Sequence, residues 1–119
     1  MRQSQKWTGQ ISTANTNLDG TGTIVSLITA PLDGVVIKRR QAVAKVTTTA
    51  GWVSWFIKKG STWELDCVMP VYAATVGSTV PPFFDGHDVN IVLLEGEQYG
   101  AATYAAEAMI ASIETEPLA

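Results

Sequence analysis

Gly51-Trp52-Val53-Ser54-Trp55-Phe56-Ile57-Lys58-Lys59-Gly60-Ser61-Thr62-Trp63-Glu64-Leu65-Asp66-Cys67-Val68-Met69 is the stretch on which the fold turns. Two runs rich in β-branched and aromatic residues flank Lys58-Lys59-Gly60-Ser61, which is the signature of a β-hairpin. The second run alternates. Trp63, Leu65, Cys67 and Met69 are expected on one face, and Glu64, Asp66 and Val68 on the other. Trp52 and Trp55 are three positions apart, so without a bulge they point to opposite faces and at least one belongs to a core.

The same grammar extends in both directions. Upstream, Thr23-Ile24-Val25-Ser26-Leu27-Ile28-Thr29 reads as a strand closed by Pro31 and an Asp33-Gly34 turn. Residues 35–48 read as a long strand whose alternation slips at Lys38-Arg39-Arg40, where a bulge is expected. Downstream, Pro70 and the Pro81-Pro82 pair bracket a looser connection with room for a short strand over 71–76. Asp88-Val89-Asn90-Ile91-Val92-Leu93-Leu94 is the next strand, turned by Glu95-Gly96-Glu97 into Tyr99-Gly100-Ala101-Ala102-Thr103. Residues 105–113 carry alanines and a Met109, Ile110, Ile113 spacing that would also suit a helix. The all-strand context assigns them to a strand.

The expected fold is therefore all-β: an antiparallel β-sandwich of about eight strands. A long crossing connection near the prolines makes it jelly-roll-like. Three segments follow: a polar N-terminal arm over 1–20, a sandwich over 21–113 and an acidic tail over 114–119. The arm is amide-rich and poor in apolar residues, so it does not fold alone. Its one large apolar group, Trp7, either tucks back over its own domain or anchors the arm on a neighbour.

Charge is distributed unevenly. Residues 1–60 hold all eight bases against Asp19 and Asp33, a net of +6; residues 61–119 hold nine acids and no base, a net of −9. The total is −3. In a jelly roll, strands from the two halves alternate within each sheet, so cross-strand ion pairing accounts for the split. Contact between the basic surface of one copy and the acidic surface of another is the other reading. Charged residues are 16% of the chain, a low share that fits either a hydroxyl-rich surface or one partly covered by partners.

The supply of catalytic chemistry is thin. Cys67 is the only cysteine and is expected as a buried thiol; His87, the only histidine, is read as a solvated loop residue. Asn15-Thr16-Asn17-Leu18-Asp19-Gly20 matches the first half of a calcium loop, but Ser26 occupies the twelfth position, and a turn is the expected structure. No catalytic, metal or cofactor residues are assigned. Lys38-Arg39-Arg40 and Lys58-Lys59 suggest a basic patch, yet the net negative charge argues against nucleic acid. No apolar run approaches a membrane span, and residues 1–20 lack a hydrophobic signal region, so a cytosolic protein or a particle assembled there is expected. A sugar-stacking platform of Trp52, Trp55 and Trp63 remains as a recognition alternative.

Asn15-Thr16-Asn17-Leu18-Asp19-Gly20-Thr21-Gly22-Thr23, Thr47-Thr48-Thr49-Ala50-Gly51, Phe56-Ile57-Lys58-Lys59-Gly60-Ser61-Thr62-Trp63 and Leu94-Glu95-Gly96-Glu97-Gln98-Tyr99-Gly100-Ala101 carry a resemblance. They resemble small jelly-roll-like structural proteins of tailed bacteriophages, of the capsid decoration (cement) type. The resemblance implies a virion component on the capsid surface, a homotrimer partnered by the major capsid protein, with no catalytic residues. The residues expected to touch partners are Trp7, Lys38, Arg39, Arg40, Lys58 and Lys59. A tail or fibre module binding host glycan is the alternative.

Overall fold

The computed structural model describes residues 4–77 and 82–118. Residues 1–3 of the expected arm, Pro81 of the proline pair and the last residue of the tail lie outside the described residues. Among the described residues, eight strands follow one another: β1 (Gln5–Ile11), β2 (Val25–Thr29), β3 (Val35–Ala44), β4 (Gly51–Lys58), β5 (Trp63–Val71), β6 (Phe84–Leu93), β7 (Gln98–Thr103) and β8 (Met109–Pro117). They form two antiparallel four-stranded sheets, β1-β8-β3-β6 and β2-β7-β4-β5. This strand order is that of a jelly roll, the second half of the chain folding back between the strands of the first. β4–β5 is the one pair of successive strands that stays within a sheet; every other described connection crosses between sheets.

Within the segment expected as an arm, residues 5–11 form a sheet strand instead. β1 pairs with β8 from Gln5↔Thr115 to Ile11↔Met109, which also draws 114–117 of the expected tail into β8. β1 looks polar because it is an edge strand whose outward positions are Lys6, Thr8 and Gln10. Its inward positions are Trp7, Gly9 and the fully buried Ile11. Gly9 hides the alternation, and it is small because a Cβ there would sit 2.8 Å from Leu27 Cδ2. β6 begins at Phe84, so His87 stands on a strand opposite Arg40 rather than in a loop. Over 71–76, the chain ends β5 at Val71 and then makes only an isolated bridge between Thr48 and Ala74.

Two bulges set which side chains face inward. The register slips between Ile37 and Arg39, where the alternation of the sequence breaks. A second slip pairs Trp55 with Cys67 but Phe56 with Leu65, leaving Asp66 as the extra residue. The single apolar face expected for 63–69 is thereby split. Cys67, Met69 and Val71 point into the core, while Trp63 and the 40% exposed Leu65 lie on the outer face.

Trp55, Tyr99, Phe83, Ile37, Met69, Leu93 and Ile113 fill the space between the sheets. The β2-β7-β4-β5 sheet is buried on its outer face as well. Ser54 and Phe56 point away from the core, yet both are fully buried. The β1–β2 connection lies over that face: Asn15 N–H donates to Thr103 O (2.8 Å), and Ile24 and Trp63 flank Gly100, the partner of Phe56.

Candidate interaction site

Interleaving the halves converts the charge split into pairs. One row across the first sheet reads Lys6, Glu114, Arg39, Asp88, alternating in sign over β1, β8, β3 and β6. Arg39 Nη1 lies 3.1 Å from Asp88 Oδ1, and at the β4–β5 turn Lys59 Nζ lies 3.7 Å from Glu97 Oε2. Each pair has one well exposed partner, Asp88 and Lys59, and contributes little stability.

Arg40 is different, because the bulge turns it inward. It crosses between the sheets, donating from Nη1 to Asp66 Oδ2 (2.8 Å) and Tyr99 Oη (2.7 Å), while Tyr99 donates to the same Asp66 oxygen (2.6 Å). Its guanidinium stands 6.0 Å from the Trp55 ring centre, and its side chain is 11% exposed. Burial, then the hydrogen bond to Asp66, push the Tyr99 phenol well above its ordinary value near 10, so it remains a neutral donor. The triad lies towards the side of the sandwich where β5 and β6 are the sheet edges, and Arg40 lines a cleft there with Cys67, Met69 and His87. Arg40 Nη1, Tyr99 Oη and Asp66 Oδ2 bind one another, as in a structural clamp, while Arg40 Nε is buried without a hydrogen-bond partner among the described residues.

At one end of the sandwich, three turns converge. Ala30 N–H donates to Glu97 O (2.8 Å) and Gly96 N–H to Ala30 O (3.0 Å), locking the β2–β3 and β6–β7 turns together, with Lys59 alongside through Glu97. Gly34, at a φ of +76°, lets the chain reverse against the backbone of Leu93 and Leu94. These locked turns present Leu32, 73% exposed, and Leu94, 55% exposed. Beside them opens a cleft of about 270 Å³ lined by residues including Gln5, Leu32, Val35 and Pro117. Neither leucine stood out in the sequence: Leu32 is one apolar residue beside the Asp33-Gly34 turn, and Leu94 reads as the last residue of a strand that in the structure ends at Leu93.

The six residues expected to touch partners do not share one surface. Trp7 packs against the core and donates from Nε1 to Thr115 Oγ1 (2.9 Å). Lys38 is exposed and bonds Asn90, Arg39 faces outward, Arg40 faces inward, and Lys58 and Lys59 end the β4–β5 hairpin. Of the tryptophans, Trp55 is fully buried, Trp52 lies 4.3 Å from the Tyr104 ring, and Trp63 has Lys58 Nζ at 5.6 Å. In the Asn15 loop the polar side chains close turns on themselves. Asn15 donates to Thr21 O and Thr23 O, and hydrogen bonds from the Thr21 hydroxyl and amide hold the Asp19 carboxyl below its usual range. Compared with known families and curated proteins, the chain matches no family model and no curated sequence.

Proposed function

We propose that this protein is a non-enzymatic structural component of a tailed-phage virion, a decoration or cement subunit that stabilises the assembled head. The observation that carries the reading is the pair of exposed leucines, Leu32 and Leu94, held on hydrogen-bonded turns at one end of a jelly roll. Exposed apolar groups on a rigid frame suit docking, because little conformational entropy is lost when they bind. The jelly-roll fold is one that viral capsid proteins use, and it agrees with the resemblance drawn from the turns. The grouped ionisable side chains are engaged with one another, in the Arg40 triad and the Arg39–Asp88 pair, which supports a structural role. Binding many copies to the assembled lattice, and not to free capsid subunits, stabilises the lattice by mass action.

A glycan-binding reading finds less support, since Trp55 belongs to the core and Trp52 and Trp63 are half-buried against neighbours. The test is co-sedimentation of the purified protein with heads that lack it. Leu32→Asp and Leu94→Asp are expected to abolish co-sedimentation while leaving the thermal midpoint within a few degrees of wild type. Undiminished binding by both variants refutes this end as the docking surface, and failure of the wild type to bind heads overturns the reading itself.

A further inference from the structure

We propose that the protein self-associates head to tail through its first sheet, β1 of one copy adding as a strand to β6 of the next. The inference does not rest on the capsid reading. β1 and β6 are the two edges of that sheet, each hydrogen-bonded on one side only among the described residues. Such edges are templates for strand addition. Their direction is right: neighbours in the sheet are antiparallel throughout, so a β1 placed beyond β6 continues the same alternation.

Charge selects the register. The row Lys6, Glu114, Arg39, Asp88 begins with an exposed base on the β1 edge and ends with an exposed acid on the β6 edge. Asp88 remains 88% exposed even while it touches Arg39. A second copy with Lys6 opposite Asp88 extends the alternation of sign without a break. The facing stretch of β6 is regular, since Asp88 to Phe84 pairs with Arg39 to Val43 without a slip and the bulge lies beyond it. In this register Trp7 comes opposite His87 of the next copy and Thr8 opposite its Gly86, and outward positions meet outward positions. Lys6 and Asp88 on their edges would otherwise act as guards against association, and the experiment separates these roles. The contact is heterologous, so it closes into a ring or propagates as a filament.

The experiment is directed disulfide trapping in the full chain carrying Cys67→Ala, with circular dichroism confirming the fold. Lys6→Cys and Asp88→Cys proteins are mixed under mild oxidation. Within one chain these positions are three strand spacings apart, about 14 Å, too far to bridge. The expected result is a linked heterodimer that neither variant forms alone and that Lys6→Cys does not form with Lys38→Cys. Light scattering of the wild type should show a mass above the monomer at high concentration, falling towards the monomer in high salt. A wild type that stays monomeric at every concentration overturns the proposal. So does bridging of either single variant with itself, or equal bridging to Lys38→Cys.

Discussion

The two sheets share a core and differ on their outer faces. The β2-β7-β4-β5 sheet is roofed by the β1–β2 connection, so β4 is buried from Val53 through Phe56 on both sides. The β1-β8-β3-β6 sheet is bare, and its outward row alternates in charge. A roofed strand reads as a continuous apolar run, and a bare one as an interrupted mixture. That is why 51–57 announces itself in the sequence while β1 passes for a polar arm. Burial on the second face is a property of what covers a strand, and the covering segment here is remote from β4 in sequence.

The contrast is sharpest at one apolar residue from each outer face. Phe56→Ala is expected to cost about 3–5 kcal/mol, as a core truncation does, and Val92→Ala, 43% exposed on the bare sheet, within about 0.5 kcal/mol. Urea unfolding measures both, and similar costs at the two positions would remove the roof from the account. The next largest difference lies between two ion pairs. Asp66→Ala strands the mostly buried Arg40 and should cost about 3 kcal/mol, whereas Asp88→Ala releases a solvated Arg39 for less than about 1 kcal/mol. Equal losses would place Arg40 in solvent.

The third contrast, the smallest of the three, sets Tyr99→Phe against the wild type, with a loss of about 1 kcal/mol near neutral pH, because Arg40 and Asp66 keep each other. It has a pH signature. The folded phenol titrates above its ordinary value near 10, so its stabilising contribution is complete below pH 10. It declines as pH rises from there, because the unfolded chain then releases the proton that the folded one retains. The wild type should therefore lose stability more steeply than Tyr99→Phe above pH 10, by up to about 1.4 kcal/mol per pH unit. Parallel curves for the two proteins would place the hydroxyl outside the enclosed triad.

Much of this was legible before any tertiary structure. The hairpin at 51–69 is the one local strand pair, and its turn residues marked it. The Lys38 bulge showed as a slip in alternation, and interleaved halves were one of the two readings that the charge split left open, contact between copies being the other. The exposed turns were not legible: Leu32 and Leu94 come to the same end of the sandwich through the bonds between Ala30 and the 96–97 turn.

By itself, then, the sequence determined the all-β class, most strand positions and the division of the chain into a basic and an acidic half. Periodicity and charge are local sums over neighbouring residues, and they survive without knowledge of the partner strand. The tertiary structure alone decided that β1 closes the sheet on β8, that the bulge at Asp66 divides a seemingly uniform face, and that Arg40 turns inward to clamp the sheets. Each of these depends on a register between segments far apart in the chain, and a shift of one residue in that register exchanges inside for outside.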